Sequence, residues 1–257
     1  MGALGAGRAI LADGTPEAAW QAWPTLHRLP SLTLEALAPP GARVVVVTPH
    51  PDDEVLSFGG LMAMLAAAGR ALSVIAVTDG DASHPGSQRW PPQRLARRRR
   101  AEARLGLRRL GCTHAVVTHL ACPDGRVGEQ RRAVGAALRV HLQPGDRVFT
   151  TWALDGHPDH EATAEAVEEA ARAVGAEVVQ APVWMWHWAA PADPRVPWQQ
   201  LHRLPLSEDA LARKRAAIAA HQTQLAPQDG GRDAVLRPLA LARLLRPFET
   251  FFVGPRA

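Results

Sequence analysis

The stretch VVVVTPHPDDEVLSFGG, residues 44–60, decides the fold. Four consecutive valines have the β-branched, uninterrupted apolar character of a buried strand. Within six residues of the last valine come His50, Asp52, Asp53 and Glu54. A helical stretch follows from about Val55 to Ala68, with Gly69 where a C-terminal cap belongs. Outward from here the pattern repeats. ALSVIAVTDG (71–80) reads as a second strand, and a Gly-, Ser-, Pro- and His-rich loop then leads into an arginine-studded helix from Gln93 to Leu110. Further strands are expected at His114–Thr118, in DRVFTTWA (146–153), near Glu177–Trp186 and at Thr250–Val253. Helices are expected at Glu129–Leu142, Pro158–Val174 and Ser207–Gln222. Apolar β-rich runs alternating with helical ones predict an α/β fold, a mostly parallel sheet with helices on both faces. Residues 42–257 read as a single domain. Residues 1–41 read as an N-terminal extension with one short helix around Pro16–Trp23, ending in the turn-forming APPGA.

Composition narrows the function classes. The 257-residue chain is 47% hydrophobic, enough for a packed core. Its net charge of +4 is carried almost wholly by arginine, since Lys214 is the one lysine. The run Arg94–Arg109 shares its helix with acidic and apolar positions and has no array of stacking aromatics, so no nucleic-acid partner is expected. Cys112 and Cys122 form no CxxC pair and no thiolate zinc site, which argues against a disulfide framework. The N-terminus lacks a basic region followed by an apolar run, and no stretch of ~18 uncharged apolar residues occurs. A soluble, cytoplasmic protein with no membrane span is expected; homo-oligomerisation stays open.

In an open parallel sheet, ligands bind where the loops after the strands converge. HPDDE (50–54), DGDASH (79–84) and DGHPDH (155–160) all follow predicted strands, so three chemically loaded loops share one sheet edge. Asp52 and Asp53 are adjacent and leave the backbone in different directions, so that one can bind a metal while the other faces a reacting water. Pro158 suits the first turn of a helix, which places His157 just before it and His160 inside it. A helix N-terminus disfavours imidazolium, and a metal ligand must be neutral imidazole. His50, Asp53 and His160 would then form a two-histidine, one-carboxylate set with an open position, as in catalytic zinc sites. The competing reading is an acidic turn whose aspartates cap the next helix. Capping needs one carboxylate, and three acids with a histidine stand here.

PHPDDEVLSFGG followed about a hundred residues later by GHPDHEA resembles the LmbE-like (PIG-L) family of deacetylases over most of residues 43–253. The resemblance implies a Rossmann-like fold, one zinc ion and removal of an acetyl group from N-acetylglucosaminyl conjugates or related N-acyl amino sugars, with Fe2+ as the alternative metal. It also implies His50, Asp53 and His160 as ligands, Asp52 as general base and His157 as the group that polarises the carbonyl, best when protonated. In RRRRAEARLGLRRLG it selects Arg99, three residues before Glu102, as a substrate contact, with the register among residues 97–100 open. KRAAIAAHQTQ resembles a His-x-Ser-Gln segment with Thr223 in place of serine. There His221 is a candidate substrate contact, or a charge complement to its helix dipole. The partner implied is a small N-acetylated sugar conjugate.

The loop 79–90 offers Asp81, Ser83, His84 and Ser87 to sugar hydroxyls, His84 being taken as a substrate contact. Trp184, Trp186 and Trp188 alternate at strand spacing and would share one face, as core or as a sugar-stacking platform. A metal-dependent phosphoesterase is the rival enzyme class, although two-metal sites usually need more bridging carboxylates.

Overall fold

The computed structural model describes residues 8–10 and 12–253. Strands β1 (Val44–Thr48), β2 (Leu72–Thr78), β3 (Val116–Cys122), β4 (Arg147–Thr151), β5 (Glu177–Ala181), β6 (Leu201–Pro205) and β7 (Phe248–Phe252) form one sheet in the order β3-β2-β1-β4-β5-β7-β6. The first five are parallel, and β7 is antiparallel to both β5 and β6. The helices are α1 (Glu17–Gln21), α2 (Pro24–Arg28), α3 (Leu34–Leu37), α4 (Asp53–Ala67), α5 (Pro92–Leu110) and α6 (Val127–His141). They continue with α7 (Pro158–Val174), α8 (Met185–Trp188), α9 (Glu208–Ile218), α10 (Gln222–Leu225) and α11 (Pro238–Leu244).

The four valines explain the layering. Val44 and Val46 pack into one core with Phe58, Leu61, Leu107 and Ala217 from α4, α5 and α9, whereas Val45 and Val47 pack into a second with Val134, Leu138, Ala166 and Val167 from α6 and α7. Strand periodicity sends alternate side chains to opposite faces, and both faces are covered, so all four are buried. Each contributes roughly 1.5–3 kcal/mol by leaving water. The helices begin and end close to the expected positions. Gly69 follows α4 at a φ of +68°, and Ser207 caps α9 by accepting from the Ala210 N–H at 3.1 Å.

Three features differ from the sequence expectation. Residues 177–186 are not one strand, because β5 stops at Ala181 and Met185–Trp188 is helical. The cause is tertiary. The Asp155 carboxylate accepts from the N–H groups of Val183, Trp184 and Met185 at 2.9–3.0 Å and turns the chain into a helix. The three tryptophans therefore share no strand face: Trp186 is core, while Trp184 reaches a cavity described below. The polar edge strand β6 was not foreseen. Finally, the N-terminal extension, of which residues 1–7 and 11 lie outside the described residues, is built into the main core. Trp20 is fully buried, stacks edge-on to Trp186 at 5.0 Å and donates from Nε1 to its carbonyl at 3.0 Å. Leu26, Leu29 and Leu37 join the same cluster. Among the described residues no helix is long and apolar enough to cross a membrane.

Strand order reverses direction between β1 and β4, whose outer neighbours are β2 and β5. The crevice outside their carboxyl ends is the place where such sheets bind ligands.

Candidate active site

The loops leaving β1 and β4 meet in that crevice. Asp53 opens α4, and its Oδ2 accepts from the His50 backbone N–H at 3.1 Å while lying 3.2 Å from His50 Nδ1 and 3.3 Å from His160 Nε2. One donor atom from each of His50, Asp53 and His160 lies within 4.8 Å of the others, and all three residues are largely buried. His160 Nδ1 is engaged by Asp155 Oδ2 at 2.8 Å, so its Nε2 is the atom turned to Asp53. That Nε2 is buried without a hydrogen-bond partner. Opposite, His50 Nε2 is flanked by Asp124 Oδ1 at 3.2 Å and Asp159 Oδ2 at 3.3 Å, which leaves Nδ1 facing Asp53. Both imidazoles are thus oriented by carboxylates on their far nitrogens, the arrangement that prepares histidine for a metal.

The electrostatics agree. Burial alone would raise the Asp53 pKa, but His160 and His50 outweigh it and hold the carboxyl far below its usual range. Burial would lower His160, but Asp53 and Asp155 push it up to about 9. His50 is raised against its burial by Asp124, Asp159 and Asp53. A site whose carboxylates draw positive charge this strongly, with an orphaned buried imidazole nitrogen, fits a divalent cation. His50, His157 and Asp159 make a second grouping that shares His50.

Asp52 stands apart from the donors. Its backbone has a φ of +146°, outside the regions open to ordinary L-residues, a strain of ~1–3 kcal/mol that neighbouring structure must hold. Glu54 Oε2 accepts its N–H at 2.9 Å, its own carbonyl accepts from Val55 and Leu56 at the start of α4, and Arg99 clasps the preceding Pro51 carbonyl at 2.9 Å. Its side chain makes no helix cap; it points to Arg99 Nη2 at 3.1 Å. Burial raises the Asp52 pKa to about 7, with Arg99 opposing and Asp53 adding to the rise. Glu54, with its pKa raised to about 8 by burial and the Asp52 charge, serves the backbone of this turn.

His157 is the residue before α7. Its Nδ1 accepts from the Asp159 N–H at 3.2 Å, which places the proton of the neutral ring on Nε2. Burial and the neighbouring His160 and His50 push its pKa down to about 3. The protonated form expected from sequence is therefore disfavoured here.

These groups line a cavity of about 320 Å3 together with Arg99, Ser83, Gln224, Trp184 and Leu236. Of residues 97–100, Arg99 turns inward: it is buried and also donates from Nη1 to Gly80 at 2.9 Å, while Arg98 pairs with Glu102 and Arg100 with Asp79. Glu102 accepts from the Thr223 N–H and hydroxyl at 3.1 and 2.6 Å, fixing the segment that carries Gln224. His84 and His221 are both buried but do not line the cavity. His84 is held behind Ser83, whose Oγ is 3.0 Å from its Nδ1, and Ser83 takes the wall position. His221 packs beside Gly106, its pKa pushed down to about 3 by burial and Arg99. Asp124, Asp155 and Asp159 were not singled out from sequence. Asp124 follows β3 in a CPDG turn at the same sheet edge, and the converging-loop criterion applied to that strand would have found it.

The family described as GlcNAc-PI de-N-acetylase, PIG-L, matches residues 45–171, from β1 into α7. The chain belongs to the PIG-L (LmbE-like) family. The matched PIG-L span contains the whole donor set, Asp52, Arg99 and His157. A Streptomyces avermitilis protein, 1D-myo-inositol 2-acetamido-2-deoxy-alpha-D-glucopyranoside deacetylase, is 27% identical over 212 residues, 70% of this chain and 68% of that one. The antimicrobial reagent A40926 pseudoaglycone deacetylase Dbv21 superposes with a TM-score of 0.58 at 26% identity, over 83% of this chain and 99% of that one. A conserved protein of Thermus thermophilus shares the PIG-L fold at a TM-score of 0.60 and 24% identity, over 84% of this chain and 95% of that one.

Proposed function

We propose that this PIG-L chain is a metal-dependent amide hydrolase that removes the acetyl group from an N-acetylglucosaminyl conjugate or a related N-acyl amino sugar. The observation that carries the reading is the convergence of His50, Asp53 and His160 beside a separate buried carboxylate, Asp52, at the base of one cavity. Deacetylase is also the activity in the names of the Streptomyces avermitilis relative and of Dbv21. His50, Asp53 and His160 hold the ion. Two imidazoles and a carboxylate suit zinc, with Fe2+ as the alternative for the same donor set. When bound, the ion supplies Lewis-acid polarisation and lowers the pKa of water from 15.7 to about 7.

The remaining steps belong to the chain's own residues. Asp52, strained toward the cavity and steadied by Arg99, accepts the proton of the attacking water. His157 donates a hydrogen bond from Nε2 to the carbonyl oxygen as charge develops there. Such a donor typically contributes ~10²–10³ in kcat. A neutral His157 has no spare proton, so Asp52 carries the water's proton to the departing amine. Arg99 positions Asp52 and the substrate, and Ser83 and Gln224 face the sugar.

Metal analysis of the purified protein, followed by a screen of N-acetyl amino sugars for free amine, tests the reading. Asp52→Ala is expected to keep its metal and lose at least a hundredfold in turnover, whereas His160→Ala loses the metal. An Asp52→Ala protein as active as wild type removes Asp52 as the base. Release of phosphate from model esters in place of amine would favour the phosphoesterase.

A further inference from the structure

Beside the main cavity lies a smaller one of about 90 Å3, and Trp184 and Val235 line both. A water needs ~10–15 Å3 on this measure, so the space accommodates a group of several heavy atoms. Its walls come from the N-terminal segment through Asp13, from α8 through His187, and from α11 and the residue before it through Arg237, Leu239 and Arg243.

Arg243 sets its charge. It is 3% exposed, donates from Nη1 to the carbonyls of Asp13 and Thr15 at 3.0 and 2.6 Å, and contacts His187 Nδ1 through Nη2 at 2.9 Å. Among the described residues it has no carboxylate within ion-pairing distance, whereas Arg246 is paired with Glu17 and Arg237 with Asp13. A guanidinium withdrawn from water without a counter-ion is held at a penalty, which an anion against its Nε and remaining Nη2 hydrogens relieves. Arg237, 41% exposed, stands at the rim with a second positive charge. Trp184 and the half-exposed Leu239 supply apolar flanks.

We infer that this cavity is a subsite for an anionic group, carboxylate or phosphate, carried on the aglycone of the conjugate. The link to a substrate rests on the deacetylase reading, since Trp184 and Val235 join the subsite to the cavity above Asp52. Binding of the anion itself does not.

The test is calorimetric titration with phenyl phosphate, benzoate and neutral benzyl alcohol. Wild-type protein is expected to bind at least one of the two anions tenfold or more tighter than the alcohol, and the stronger of the two identifies the group. Arg237→Glu and Arg243→Met should each weaken that binding at least tenfold, while His160→Ala leaves it unchanged. If Arg243→Met fails to fold, the surface variant Arg237→Glu carries the test. Equal binding of the alcohol, indifference to the arginine variants, or loss in His160→Ala each overturns the subsite. A parallel assay compares phenyl and 4-carboxyphenyl N-acetylglucosaminides, the carboxylate being expected to lower KM at least fivefold in wild type and not in Arg237→Glu. The anion pattern without hydrolysis of either glycoside sustains the subsite and removes the deacetylase reading; hydrolysis of both with equal KM does the reverse.

Discussion

Asp155→Asn isolates the tautomer of His160. Asp155 is fully buried and accepts four hydrogen bonds: Val183 and Met185 N–H on Oδ1, Trp184 N–H and His160 Nδ1 on Oδ2. Asparagine keeps the shape and can keep Oδ1, but its NH2 replaces Oδ2 and faces two donors. The Trp184 N–H then loses a charge-assisted acceptor, at a cost of about 1.5–3 kcal/mol. His160 escapes the clash by moving its proton to Nε2, the nitrogen that faces Asp53 and would bind the ion. Loss of such an orienting partner typically weakens metal binding 10–100-fold, or about 1.4–2.7 kcal/mol. At saturating metal the same loss appears as reduced metal-induced stabilisation, on the order of 3–10 °C in Tm for a domain of this size. Competition with a chromophoric chelator measures affinity, and thermal melts with and without metal separate that loss from the metal-independent one. Wild-type metal affinity in a folded Asp155→Asn protein would refute the reasoning, and with it His160 Nε2 as a ligand.

Other substitutions probe the frame around the site. Trp20→Ala should cost about 3–5 kcal/mol and lower Tm by on the order of 10 °C; an unchanged melt would mean that the N-terminal segment is not part of the cooperative core. Gly80 has a φ of +65°, and a Cβ there would overlap Arg99 Nη1. Gly80→Ala should therefore displace Arg99 and reduce kcat at least tenfold with metal content intact, as a steady-state assay with elemental analysis can check. Asp79, paired with Arg100 and His119, is opposed by burial yet held down to about 2 by these partners. Because this lies below the unfolded value, its stabilisation is full above about pH 4 and is lost as pH falls toward 2. It amounts to about 1–2 kcal/mol once solvent access to Arg100 is allowed for. Denaturant titrations should show that part of the acid slope missing in Asp79→Asn.

Local patterns carried much of the fold. The valine run, the Gly69 stop, Ser207 at a helix start and Pro158 at another are each readable because the deciding interaction lies within a few residues. The same holds for the donor set: HPDDE and HPDH place His50, Asp53 and His160 at strand ends, and parallel topology brings strand ends together. The tryptophan segment was misread for the opposite reason. Its alternation suits a strand, but Asp155, 28 residues before Val183, satisfies its free N–H groups as a helix. His84 and His221 had the right chemistry at the right edge, and only packing put Ser83 and Gln224 in front of them.

The sequence by itself determined the α/β alternation, the edge of the sheet where chemistry collects, and the residues able to hold a cation beside a free carboxylate. All follow from short-range periodicity and the side chains' own chemistry. Tertiary structure alone decided which arginine of four turns inward, the neutral tautomer of His157, the carboxylates that orient His50 and His160, and the burial of the N-terminal segment. Those outcomes depend on atoms 30 to 170 residues apart meeting within hydrogen-bond distance, which no local pattern encodes.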